Sequence, residues 1–62
     1  MRINVNGRPR DLEEGATVQD LVPSPRGVAV ALNGAVVPAG AWATTRLAED
    51  DAVELVTAHQ GG

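Results

Sequence analysis

Apolar and polar side chains alternate over the first five residues of the chain. Met1, Ile3 and Val5 fall on one face of an extended segment, and this period of two is typical of a strand with one buried face. Asn6-Gly7 follows, and it predicts a hairpin because both central positions of a type I′ turn need positive φ. We expect the returning strand, Arg8 to Leu12, at an edge of the sheet because its proline lacks an N–H.

A short helix is predicted to begin at Thr17. The Thr17 hydroxyl can cap a backbone N–H, and an acidic residue such as Asp20 is favourable in the first turn. Val18, Leu21 and Val22 form an apolar stripe at helical spacing. The next three residues include two prolines. Since the residue before a proline disfavours α geometry, the helix should end there.

Three further strands are predicted in the second half of the chain. Val28 to Leu32 is apolar at every position, which favours an inner strand covered on both faces. Asn33-Gly34 repeats the hairpin signal, and Ala35 to Val37 would pair back. A loop or single helical turn then carries Trp42, which we expect to fill the core because no other side chain is as large. Val53 to Thr57 alternates again as the last strand.

The order of these elements is hairpin, helix, two strands, irregular crossover and strand. One short helix can cover one face of a mixed four- to five-stranded sheet, so the predicted class is α+β. A first hairpin, a crossover helix and a late final strand favour a β-grasp arrangement. We expect a single domain over residues 1–62, with residues 58–62 as a flexible C-terminal tail.

Composition excludes several classes of function. With 62 residues, no cysteine and one histidine, the chain offers no thiolate zinc site, no thiol nucleophile and no metal cluster. It is also too small for a substrate cleft, so we do not expect an enzyme. A net charge of −3 argues against nucleic-acid binding, which needs a basic stripe. No apolar run approaches a membrane span and no signal segment is present, so we expect a cytoplasmic protein.

The candidate chemistry lies in the last residues, which end in Gly61-Gly62. Glycine has no Cβ, so its backbone can pass through a narrow channel. Five residues from Ala58 reach at most about 17 Å, which is enough to thread into a partner's active site. The reactive group would be the Gly62 carboxylate, and His59, Gln60 and Gly61 would thread into the partner with it. The alternative is a frayed terminus without function.

A carboxylate becomes an acyl donor only after activation, for example by ATP. Attack of this anion on a phosphate requires Mg²⁺ and cationic stabilisation, and the sequence has no phosphate-binding loop. The chain is therefore expected to bind no cofactor and to act as the co-substrate of a separate enzyme that uses ATP and Mg²⁺. Val56 and Ala58, on the outward face of the last strand, are the candidate partner surface.

The whole chain resembles the ThiS family of sulfur carrier proteins, which have the ubiquitin-like β-grasp fold. No single segment is decisive, but the order, the spacing and the chain length agree together. Two features depart from the family. Pro23 and Pro25 cut the helix short where family members often run longer, and Asp50-Asp51 stands where the family commonly has Gly-Asp. The matching segments are Gly15-Ala16-Thr17-Val18, Val30-Ala31-Leu32-Asn33-Gly34, Val36-Val37-Pro38, Trp42, Val53-Glu54-Leu55-Val56 and Gly61-Gly62.

The resemblance implies a specific reaction sequence. A ThiF-type enzyme would adenylate Gly62, and sulfur drawn from a cysteine desulfurase or another source would leave a thiocarboxylate. Thiazole synthase, ThiG, would accept that sulfur during thiamin biosynthesis. The small subunit of molybdopterin synthase and a ubiquitin-like protein modifier share this fold and terminus. A passive β-grasp binding module is an alternative of another class, in which the terminal glycines have no role.

Overall fold

The computed structural model describes residues 1–57 and forms one mixed sheet with a short helix on one side. Among these residues no helix is long and apolar enough to cross a membrane. The elements are β1 (Arg2–Val5), β2 (Arg8–Asp11), α1 (Val18–Leu21), β3 (Val28–Leu32), β4 (Ala35–Val37), a 3₁₀ turn (Ala39–Ala41) and β5 (Ala52–Thr57).

The five strands lie in the order β2-β1-β5-β3-β4. β1 and β5 are parallel, and the other three pairs are antiparallel. The last strand of the sequence is thus inserted between the two hairpins, and α1 connects one hairpin to the other. This is the predicted α+β class and the β-grasp arrangement, with β2 at an edge as its proline indicated.

Both Asn-Gly pairs form the tight turns that the sequence predicts. The φ angles are 53° at Asn6 and 80° at Gly7, and 49° at Asn33 and 86° at Gly34. Positive φ at both central positions matches the right-handed twist of the flanking strands. These turns fix the register of the two hairpins, with Val5 opposite Arg8 in the first.

The helix is as short as the two prolines after it suggest. Thr17 is the N-cap, and it forms a capping box with Asp20. The Asp20 carboxylate accepts hydrogen bonds from the Thr17 N–H (2.8 Å) and from its hydroxyl (3.3 Å). Only four residues are helical, so packing of Val18 and Leu21, both buried, stabilises α1 more than helix propensity does.

The core lies between α1 and one face of the sheet. Trp42 is 1% exposed, and its indole Nε1 donates to the Val37 carbonyl at 2.8 Å, which satisfies the polar atom that burial would otherwise leave unpaired. The Trp42 prediction is confirmed. The buried core comprises Ile3, Val18, Leu21, Val22, Val30, Trp42, Leu47 and Val53.

The opposite face of the sheet is open, and the expectation that β3 is covered on both faces is wrong. Ala29 is exposed on that face, while Val30 is buried on the other. The described residues include one short helix, and it covers one face only. Alanine has too little apolar area to require a second covering layer, so an apolar run containing it does not establish two-sided burial.

Candidate functional site

The strand that precedes the terminal glycines occupies the centre of the sheet. β5 pairs with β3 along its length, from Leu32 opposite Val53 to Val28 opposite Thr57. On its other side β1 pairs with it only at Asn4–Ala52 and Val5–Val53. The chain therefore approaches residue 58 from a strand that is anchored in the core through Val53, which is 1% exposed.

The side chain of Asn6 completes one side of β5. Its Oδ1 accepts a hydrogen bond from the Leu55 N–H at 2.8 Å, and its Nδ2 donates to the Leu55 carbonyl at 3.3 Å. The amide therefore replaces the peptide group that a longer β1 would present. The contact joins residues that are 49 positions apart, so it ties the first hairpin to the last strand.

The side chain of Asn33 has the same role at the start of β5. Its Oδ1 accepts from the Ala52 N–H at 2.9 Å, and its backbone N–H donates to the Ala52 carbonyl at 2.7 Å. Its Nδ2 donates to Asp51 Oδ1 at 3.0 Å. Sequence reasoning assigned both asparagines to turns and missed these contacts. The signal in the sequence was asparagine at the first position of both turns, because its amide can both donate and accept hydrogen bonds, unlike glycine or an ionised aspartate.

A small apolar patch lies on the open face beside the end of β5. Val36 is 78% exposed and Val56 is 62% exposed. The register places Ala29 opposite Val56 and Ala31 opposite Val36, so these side chains are contiguous across three strands. We name Ala29, Ala31, Val36 and Val56 the open-face patch.

Charged groups border this patch unevenly. Glu54 lies on the open face of β5, opposite Ala31. The loop containing Glu49, Asp50 and Asp51 precedes β5, so these carboxylates lie at the opposite end of the strand from Thr57. A β-strand rises about 3.3 Å per residue. The length of β5 therefore separates the acidic loop from Thr57, the last residue of the strand.

An exposed ion pair joins the two strands of the first hairpin on the same face. Arg2 Nε donates to Asp11 Oδ1 at 3.0 Å, and both side chains are mostly exposed. The hydrogen bond from Arg2, together with its positive charge, lowers the pKa of Asp11 below its ordinary value. The same contact raises the pKa of Arg2. Solvent screens such a pair, so we assign it no large part in stability.

The described residues contain no cluster of side chains suited to a metal ion. Residues 1–57 hold no group of three histidine, cysteine or acidic side chains that could bind a metal ion. A shallow groove beside α1 is lined by Glu13, Glu14 and Asp20. Carboxylates repel phosphates, so this groove has the wrong charge for ATP.

The predicted site residues fall into two groups. Val56 lies on the outward face of β5, where the sequence placed it. The other candidates lie outside the described residues, so their roles remain predictions. They are Ala58, His59, Gln60, Gly61 and Gly62.

Comparison with known proteins gives the same architecture in a solved structure. A crystal structure of the thiamine biosynthesis protein ThiS from Geobacter metallireducens superposes with a TM-score of 0.81 at 33% identity, and covers 100% of both chains. A curated relative from Magnetococcus marinus, named thiazole synthase, is 39% identical over 66 residues. The match covers 100% of this chain but 20% of that relative, so the chain spans about a fifth of the relative's length.

The family model named ThiS family matches residues 3–62, a range that includes both terminal glycines and all five strands except Arg2, the first residue of β1. This match covers nearly the whole chain, and the 0.81 superposition on a ThiS structure supports it independently. The chain therefore belongs to the ThiS family, the ubiquitin-like β-grasp sulfur carriers of thiamin biosynthesis.

Proposed function

We propose that the Gly62 carboxylate is the sulfur-carrying group and that this chain is a protein co-substrate. The observation that carries the proposal is the family match through residue 62, on a chain whose last strand is held at the centre of the sheet. Such a strand gives the tail a fixed starting point, and the glycines can enter a channel that a Cβ would block.

The reaction begins with activation of the carboxylate. A Gly62 oxygen attacks the α-phosphorus of ATP, the bond to pyrophosphate breaks, and an acyl adenylate forms. A separate ThiF-type enzyme supplies the ATP site and the Mg²⁺ that this step needs.

Sulfur then replaces AMP at the same carbonyl. A sulfur nucleophile, supplied indirectly by a cysteine desulfurase or another source, attacks the acyl carbon, and AMP leaves. With hydrosulfide as the nucleophile, the product is directly a thiocarboxylate on Gly62. With a persulfide, a thiol then cleaves the acyl disulfide, which leaves the thiocarboxylate on Gly62 and a disulfide between that thiol and the donor. AMP is a good leaving group, whereas substitution at the free carboxylate would have to expel oxide, so adenylation must come before attack by sulfur.

The proposed acceptor is a thiazole synthase of the ThiG type. Support comes from the relative named thiazole synthase, which contains a segment that aligns with this entire chain. Two activities found in one polypeptide are commonly consecutive in one pathway, because fusion raises the effective concentration of one for the other. The open-face patch beside the end of β5 is the surface that we assign to docking on these enzymes.

The test is intact-mass spectrometry after incubation with ATP, Mg²⁺, a ThiF-type enzyme and a sulfur source. We expect one oxygen to be replaced by one sulfur, with the change mapped to Gly62. Deletion of Gly62 should abolish the change, while circular dichroism of the deletion variant matches the parent protein. An unchanged mass with an enzyme that modifies its own carrier would refute the proposal.

Separate assays in lysates and in mutant strains distinguish the remaining alternatives. Thiol-resistant adducts of higher mass in lysate would favour a protein modifier. Rescue of a molybdopterin-deficient strain, without rescue of a thiamin auxotroph, would favour the molybdopterin synthase subunit. A passive binding module predicts that loss of Gly61 and Gly62 changes neither growth nor binding.

A further inference from the structure

On the side of β5 that faces β1, backbone pairing gives way at Asn6 to hydrogen bonds from a side chain. Backbone N–H and C=O groups of one strand residue point to the same side, and the side alternates along the strand. The Val53 carbonyl accepts from the Asn6 N–H at 2.8 Å, and Leu55 bonds the Asn6 side chain. Residues 53 and 55 therefore face β1, and the next residue that does so is Thr57.

Thr57 lies beyond the reach of β1. Strand pairing on this side ends at Val5–Val53, and the chain turns away at Asn6, whose φ is 53°. The Asn6 amide covers Leu55 and nothing further along. Among residues 1–57, no strand pairs with Thr57 on this side, and Thr57 is exposed.

The opposite side of β5 is paired with β3 over the same length. Ala52 faces β3, since its carbonyl accepts from the Asn33 N–H at 2.7 Å. By alternation Val56 also faces β3, where Ala29 is its partner. Within residues 1–57, the edge of β5 that lacks a strand partner is therefore on the side of Thr57 that faces away from β3.

We propose that an extended segment of the adenylating enzyme pairs with Thr57 as an added strand, continuing the line of β1. The inference rests on the proposed function and names how the tail is gripped. Five residues span at most about 17 Å, so an enzyme that encloses Gly62 must place its own surface close to this edge. Main-chain pairing at a sheet edge is a recurrent way to hold an extended peptide.

The test removes the Thr57 N–H without changing the rest of the fold. Thr57→Pro should leave the thermal midpoint of the isolated protein nearly unchanged, because proline is tolerated where the N–H makes no ladder bond. We expect kcat/KM for adenylation to fall about fivefold, the effect of one hydrogen bond. Thr57→Ala keeps the N–H and should stay within about twofold of the parent.

Two further variants separate the N–H from other effects of proline. Replacement of the Thr57 amide nitrogen by an ester oxygen, by chemical synthesis, removes the donor without a ring and should give the same loss. Val56→Pro removes an N–H that faces β3, and it should lower the thermal midpoint of the isolated protein clearly.

Several results would overturn the inference. Adenylation of the ester or proline variant at the parental rate shows that the enzyme does not use this edge, and the proposed function stands. If the parent protein is not adenylated by an active enzyme, both proposals fail. A concentration-dependent dimer that Thr57→Pro abolishes, with adenylation unchanged, assigns the edge to a second copy instead.

Discussion

Asp50 adopts a backbone conformation that favours glycine. Its φ is 70°, and its N–H donates to the Arg2 carbonyl at 2.8 Å, so the conformation is fixed by the start of β1. An L residue with a Cβ is strained in this region, although aspartate tolerates it better than most. Glycine has no Cβ and adopts this conformation without strain.

Asp50→Gly should therefore stabilise the protein. We expect a gain of about 1 kcal/mol from relief of the left-handed conformation, together with weaker repulsion from Glu49 and Asp51. For a domain of this size the thermal midpoint would rise by roughly 4–8 °C. Urea denaturation measures the free energy of unfolding and thermal melting measures the midpoint, each followed by circular dichroism.

Asp50→Ala is the matched control for this prediction. It removes the same carboxylate but keeps a Cβ, so the strain remains and stability should not rise as it does with glycine. If both variants gain equally, charge repulsion in the loop is the cause, and the strain argument is wrong.

At the scale of the element, α1 depends on its capping box more than most helices do. It has four residues, and a helix this short is not stable on intrinsic helix propensity alone. Asp20 accepts from the Thr17 N–H at 2.8 Å, which fixes the angle at which the chain enters the helix. Val18 and Leu21 then point into the core.

Asp20→Ala should destabilise the protein by about 1 kcal/mol, the usual cost of losing a capping side chain. Asp20→Asn keeps an oxygen acceptor and should cost less. Chemical denaturation with parallel slopes for the three proteins would give the values directly. Equal stability of the alanine variant and the parent would mean that core packing alone holds α1.

Local signals predict the elements of this fold well, because most of them depend on neighbouring residues. The two Asn-Gly turns, the strand alternation and the helix start at Thr17 are of this kind. The contacts of Asn6 and Asn33 with β5 could not be predicted, since they join residues far apart in sequence. The open face was also missed, because alanine at position 29 is equally compatible with burial and exposure.

At the scale of the whole molecule, the sheet has the buried core on one face and the proposed docking surface on the other. The core lies on one face and the open-face patch on the other, so a substitution in the patch need not disturb packing. Val56 is 62% exposed and lies two positions before residue 58. The acidic loop lies at the far end of β5, away from where a partner would receive the tail.

Val56→Ser should weaken docking without weakening the fold. Loss of one partly buried valine contact would lower affinity for a ThiF-type enzyme about fivefold to tenfold. Stability should change by no more than about 0.5 kcal/mol, as for most surface substitutions. Isothermal titration calorimetry and urea denaturation measure the two effects separately.

Ala43→Ser provides the control, because Ala43 is exposed and lies in the segment beside Trp42 rather than in the open-face patch. Its affinity for the enzyme should match that of the parent. Equal weakening by both substitutions would indicate a contact surface elsewhere, and no weakening by Val56→Ser would remove the patch from the docking model.

The two outer strands of the sheet also bear on how the protein behaves when concentrated. β2 carries Arg8, Pro9 and Arg10, and charges and proline on an outer strand oppose stacking of one sheet onto the edge of another. β4 is three residues long and is followed by Pro38, so it offers little length for such growth. A domain of this size buries a smaller fraction of its surface than a larger domain does, so its free energy of unfolding is small. These edges oppose aggregation of the molecules that unfold.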